Sequence, residues 1–166
     1  MTNGGFSKNM EEKKFYLTKE GLIRIKKEYS ALRELRLAKT RGESPNVLHS
    51  EDLNPEYLAF QEDIGFLESR IIELENVIKN SELIRLPQKK NQSTVDLGAQ
   101  VTVEVDGQKD EFTLVGSLEA NPSIGRISNE SPVGKALVGH TIGDAVVVSS
   151  PVQTTYKIKR VKYHLS

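Results

Sequence analysis

Residues 55–78 read PEYLAFQEDIGFLESRIIELENVI, with apolar side chains at Tyr57, Phe60, Ile64, Leu67, Ile71, Leu74 and Ile78. The spacing alternates three and four without a break, which lines one face of a helix and matches the a/d seam of a coiled coil. Such a seam needs a partner, because a lone amphipathic helix of this length is marginal in water. Working outward, the partner lies upstream. From Thr18 the residues Leu22, Ile25, Tyr29 and Leu32 form a second stripe, which Leu35 extends slightly out of step. Between the stripes, residues 41–55, RGESPNVLHSEDLNP, hold Gly42, Pro45 and Pro55, so neither helix runs through. Asn54 followed by Pro55 fits an N-cap and a first helical position, which starts the second helix near residue 55.

Two stripes separated by a turn zone predict an antiparallel hairpin, and the charges agree. Arg24, Lys26, Lys27, Arg33, Arg36 and Lys39 dominate the first helix, whereas Glu56, Glu62, Asp63, Glu68, Glu73 and Glu75 dominate the second. Opposite signs favour pairing within the hairpin over self-association, and a monomer is expected. About 25 residues at the helical rise give a rod of roughly 35 to 40 Å, longer than a small domain is wide.

Composition bounds the rest. The 166 residues suffice for one compact domain, or for a small domain plus an elongated element. Lys plus Arg and Asp plus Glu are equal at 23 each, so no overall field draws the molecule to nucleic acid or an anionic membrane. There is no cysteine, which excludes disulfides, thiolate zinc sites and a cysteine nucleophile. No stretch approaches the roughly 20 apolar residues of a membrane span, and the polar first 14 residues lack the apolar run of a signal peptide. A cytoplasmic protein with no membrane partner and a disordered arm over residues 1–14 is expected.

After Asn80 the period changes. SELIRLPQKKNQS reads as a connecting segment broken by Pro87. The expected division is a hairpin over 15–85, a linker over 86–93 and a β domain over 94–166. In that domain Val101, Val103 and Val105 alternate inward, Asp106-Gly107 supplies a tight turn, and Glu111 to Val115 returns. Ile124 to Ser128 reads as a short strand and residues 131–139, SPVGKALVG, as a short helix. Asp144 to Ser149 and Thr154 to Tyr163 close the chain as strands, with Val146 to Val148 apolar in succession as in a strand buried on both faces. The fold class is α+β: an antiparallel coiled-coil hairpin followed by an antiparallel sheet on one short helix.

This ordered combination resembles the bacterial Gre transcription elongation factors over residues 15 to 164. The resemblance is carried by PEYLAFQEDIGFLESRIIELENVI with its Gly65-Phe66 pair, by LGAQVTV at 97–103, and by NESPVGKALVGHTIGDAVVVSSP at 129–151. It implies an FKBP-like C-terminal domain that docks on bacterial RNA polymerase, with Ser131 and Pro132 in the docking loop. It further implies a hairpin that enters the polymerase secondary channel and meets the 3′ end of backtracked RNA. The factor is then an accessory to the nuclease activity of the polymerase and not itself an enzyme. Tip carboxylates would complete a Mg²⁺ site shared with the polymerase, with no metal bound to the free protein. Carboxylates suit that role because Mg²⁺ takes hard oxygen ligands, and paired ions stabilise the attacking and leaving oxygens of a phosphodiester.

At the tip the chain departs from the family. Active Gre tips read approximately Gly-Asp-Leu-x-Glu-Asn-x-Glu-Tyr, whereas residues 49–57 here are HSEDLNPEY. With a two-residue gap Asp52, Leu53, Asn54, Glu56 and Tyr57 match and the first glutamate is missing. Without a gap, Ser50 and Leu53 take the acidic positions. Glu51 and Asp52 are the candidate metal and catalytic pair; Glu43 and Glu56 read as loop and first-turn charges, and His49 as an exposed loop histidine. Arg36, Lys39 and Arg41 either pair with the second helix or face RNA phosphates. Three functions stay open: stimulation of transcript cleavage, channel occupancy without cleavage, and peptidyl-prolyl isomerisation. Against the last, only Phe112, Tyr156 and Tyr163 supply aromatics for a proline pocket.

Overall fold

The computed structural model describes residues 13–42, 55–149 and 151–164. Two helices, α1 (Lys19–Arg41) and α2 (Pro55–Lys79), form the expected hairpin. Thr18 caps α1 with its hydroxyl accepting from the Gly21 N–H at 3.0 Å, satisfying one of the free donors of the first turn. The helices run antiparallel, as the ion pairs Glu28–Arg70, Arg36–Glu68 and Lys39–Asp63 require. Packing is densest at the root, where Ile25, Leu74 and Val77 are buried with Leu17. Farther out Leu67 is still buried, but Tyr57, Phe60 and Ile64 are half-buried and Leu35 is exposed.

Two three-residue strands tie the open end of the hairpin, β1 (Phe15–Leu17) before α1 and β2 (Ser81–Leu83) after α2. They pair in parallel, Phe15 with Ser81 and Leu17 with Leu83, and the Ile84 N–H donates to the Leu17 carbonyl at 2.8 Å. The beginning of the segment read as a connection is therefore part of the hairpin root.

The second unit is a five-stranded sheet in the order β5-β4-β3-β7-β6, built from β3 (Ala99–Val105), β4 (Gln108–Val115), β5 (Arg126–Ser128), β6 (Ala145–Ser149) and β7 (Gln153–Tyr163). Asp106 (φ 49°) and Gly107 (φ 78°) make the tight β3–β4 turn, since both central residues of that turn type need positive φ. The short helix α3 (Pro132–Leu137) packs beside β5 and β6. The core comprises Val95, Ala99, Val101, Val103, Leu114, Leu137, Val146, Ile158 and Val161.

The sheet differs from expectation in two respects. It is mixed, because β5 runs parallel to β4 and is reached by a crossover through Ser117–Glu119 and Pro122–Ile124, each a single 3₁₀ turn. The valine run of β6 is not buried on both faces: Val146 and Val148 are buried while Val147 is 50% exposed. β6 pairs only with β7, so it is an edge strand with one open face.

The crossover also joins the two units. The Glu119 carboxylate accepts from the Thr18 backbone N–H and from the Thr18 hydroxyl, each at 2.6 Å, and from Arg126 at 3.2 Å. Nearby, Gly116 lies so close to the Tyr16 carbonyl that a Cβ would overlap it, and a Cβ on Gly21 would overlap the Glu119 carboxylate. A groove of about 470 Å³ runs alongside, between the start of α1, residues 83–86 and the outer face of β3 and β4.

Candidate functional site: hairpin end and sheet-domain loop

The residues expected to carry function fall at two separate places. Glu51, Asp52, Glu43, His49, Ser50, Leu53 and Asn54 belong to the segment between the helices and lie outside the described residues. The distal helices that carry this segment are described, and several of their charges pair across the hairpin. Arg36 donates from Nε to Glu68 at 3.0 Å, Lys39 contacts Asp63, and Gln61 donates to the Tyr57 hydroxyl at 2.7 Å. Of the cations considered for RNA phosphates, Arg36 and Lys39 are thus engaged across the hairpin, while Arg41 is exposed at the end of α1. Closer to the root, Glu28 and Glu73 flank Arg70 and raise its pKa above the usual guanidinium value. Gly65 and Phe66 sit on the outer side of α2, with Phe66 76% exposed and open space around Gly65. Among the described residues no cluster of three acidic or histidine side chains could hold a metal ion.

The second place is the loop entering α3. The Ser131 hydroxyl accepts from the Gly134 N–H at 3.1 Å and donates to the Ser128 carbonyl at 2.7 Å, so it both caps the helix and ties it to the end of β5. The Asn129 N–H donates to the Val115 carbonyl, and the Glu130 N–H to the Ser128 hydroxyl, each at 3.0 Å. These bonds fix the loop's backbone and leave Pro132, the first helical residue, exposed. Ser131 is half-buried and engaged in these hydrogen bonds, whereas Pro132 is the exposed member of the pair. Beyond α3 the Thr141 N–H and His140 lower the pKa of the exposed Asp144 carboxyl.

Sequence reasoning missed Glu119. In the sequence Thr18 marks only the start of a helix, and nothing there links it to an acid 101 residues away. The parallel crossover was the missing signal, since it alone brings Glu119 to the root of α1.

What this geometry defines is a class: a charged helical rod rooted at its open end in a small mixed-sheet domain. Both parts match family descriptions, residues 15–83 "Transcription elongation factor, N-terminal" and residues 89–163 "Transcription elongation factor, GreA/GreB, C-term". The chain belongs to the GreA/GreB family of transcription elongation factors. It is 40% identical over 144 residues to transcription elongation factor GreA of Thermomicrobium roseum, covering 86% of this chain and 92% of that one. To GreA of Clostridium acetobutylicum it is 37% identical over 158 residues, covering 92% and 99%. Among solved structures, the GreA factor homolog 1 protein of Thermus thermophilus is 24% identical, with a TM-score of 0.40 over 90% of this chain and 99% of that one.

Proposed function

We propose that this elongation factor binds RNA polymerase through the sheet domain, with Pro132 at the contact, and places the far end of its hairpin in the secondary channel. The observation that carries this reading is the match of both parts to the family, together with a rod of 25 residues in α2 rooted in a domain whose Ser131–Pro132 loop is tied down by hydrogen bonds. Glu51 and Asp52 are the carboxylates this placement brings to the RNA 3′ end, where a Mg²⁺ shared with the polymerase would take oxygen ligands of that kind. Cleavage of the transcript is then chemistry of the polymerase that the factor assists.

A second reading is favoured by the tip sequence itself, which lacks one of the two acids of active tips when aligned with a gap and both when aligned without one. In that reading the factor occupies the channel and slows nucleotide addition without promoting cleavage. One assay separates the two: a stalled, backtracked polymerase is incubated with the protein and Mg²⁺. Shortened transcripts that vanish with Asp52→Asn and weaken with Glu51→Gln support the first. Slowed addition without shortening, persisting in Asp52→Asn, supports the second. Absence of binding overturns both. Docking is tested by Pro132→Ala, which should weaken binding while Asp52→Asn leaves it intact.

A further inference from the structure

Glu119 is the one buried charged side chain among the described residues, 2% exposed, and it lies between the two parts of the molecule. A carboxylate in such a place is costly unless its oxygens are satisfied by well-placed donors. Here they are. Oε2 takes the Thr18 N–H, and Oε1 takes both the Thr18 hydroxyl and the Arg126 guanidinium. The arrangement completes the start of α1 from outside the helix, because an acid on the sheet domain accepts the N-cap backbone donor that an acid inside the first turn would otherwise take. It also explains the two glycines. Gly21 lets the carboxylate lie against the first turn, and Gly116 lets the crossover lie against the carbonyl of Tyr16. Every bond of the set crosses between the units or, as with Thr18 to Gly21 and Arg126 to Glu119, holds a group that does.

We propose that Glu119 is the positioning residue of the interdomain joint and fixes the direction in which the hairpin leaves the sheet domain. Swinging the hairpin away would strip the carboxylate of both Thr18 donors and undo its close packing on Gly21, so the joint has one preferred setting. Thr18 is its partner on the helix. Surface ion pairs near the joint, Lys13 with Glu130 and Lys14 with Glu82, are exposed and contribute little to that preference.

The test uses the free, full-length chain and does not depend on polymerase binding, so it can fail separately from the functional reading above. The absence of native cysteine allows spin labels to be attached at Ser69→Cys on α2 and Lys109→Cys on the sheet. Pulsed electron resonance then reads the distance distribution between the two parts. The wild-type joint should give one narrow distribution. Glu119→Gln and Thr18→Val should each broaden it, Thr18→Ser should restore the narrow form, and Glu28→Gln, which breaks an ion pair within the hairpin, should leave the width unchanged. Circular dichroism confirms that helix content is retained in each variant. If Glu119→Ala fails to fold, the Gln and Val variants decide. A wild-type distribution that is already broad overturns the proposal, as does an unchanged width in both Glu119→Gln and Thr18→Val.

Discussion

The root and the far half of the hairpin are held by different physics. At the root Leu17, Ile25, Leu74 and Val77 are buried, β1 and β2 pair, and Glu119 caps α1 from the sheet domain. In the far half the seam residues Tyr57, Phe60 and Ile64 are only half-buried, and cross-helix contacts include exposed ion pairs such as Arg36–Glu68. Burial is worth kilocalories and exposed pairs are worth tenths, so local stability falls along the rod from root to end. The same heptad pattern runs through both halves, yet Val77, outside the seam, is buried at the root while the seam residue Ile78 is half-buried. Periodicity thus sets the general face of the helix but neither the depth of burial nor the face at its end.

Truncation along the seam should measure this gradient most directly. Leu74→Ala at the root should cost about 2 to 5 kcal/mol, and Ile64→Ala in the far half nearer 1 kcal/mol, because only the former leaves a cavity. Urea denaturation of both variants checks it; equal losses would mean that the hairpin is uniformly packed.

A pH titration should separate the sheet from the rod. Burial pushes the Tyr163 hydroxyl up to about 12 while it donates to the Thr94 carbonyl at 2.7 Å. The folded state therefore favours the protonated phenol. That contribution is complete below the ordinary value near pH 10 and is lost as pH rises toward about 12. Discounted for solvent screening of a half-buried group, it is on the order of 1 kcal/mol. Tyr163→Phe should remove that part of the pH dependence, leaving the hairpin variants' alkaline slope as in wild type.

The smallest effect should be at the far end. Lys39→Ala should cost about 0.5 kcal/mol or less and the loss should shrink in 1 M salt, where exposed charges are screened. A larger, salt-insensitive loss would show that this half is packed as firmly as the root.

The long elements were legible in the sequence because each repeats its signal many times. Seven seam residues set α2, and Asp106-Gly107 set the β3–β4 turn, since a two-residue turn of that type demands those residues. The tip was legible only through family resemblance, and its candidates Glu51 and Asp52 fall outside the described residues. What stayed hidden was short or non-local. β1 and β2 are three residues each and carry no period, and their pairing joins Phe15 to Ser81. The triple valine of β6 could not reveal that the strand lies at an edge, which depends on its neighbours. An all-antiparallel reading of the sheet removes the crossover to β5, and with it the reason for Glu119 to meet Thr18.

The length of α2 gives the joint at Thr18 a mechanical advantage. A helix of 25 residues spans about 37 Å, so a tilt of roughly 10° at the root displaces the far end by about 6 Å. In the proposed function a tip carboxylate serving a metal would have to arrive within a few tenths of an ångström of a bond length near 2 Å. Aim at one end of the lever is thus governed by tolerances at the other, and the firmest packing of the hairpin stands at the fulcrum.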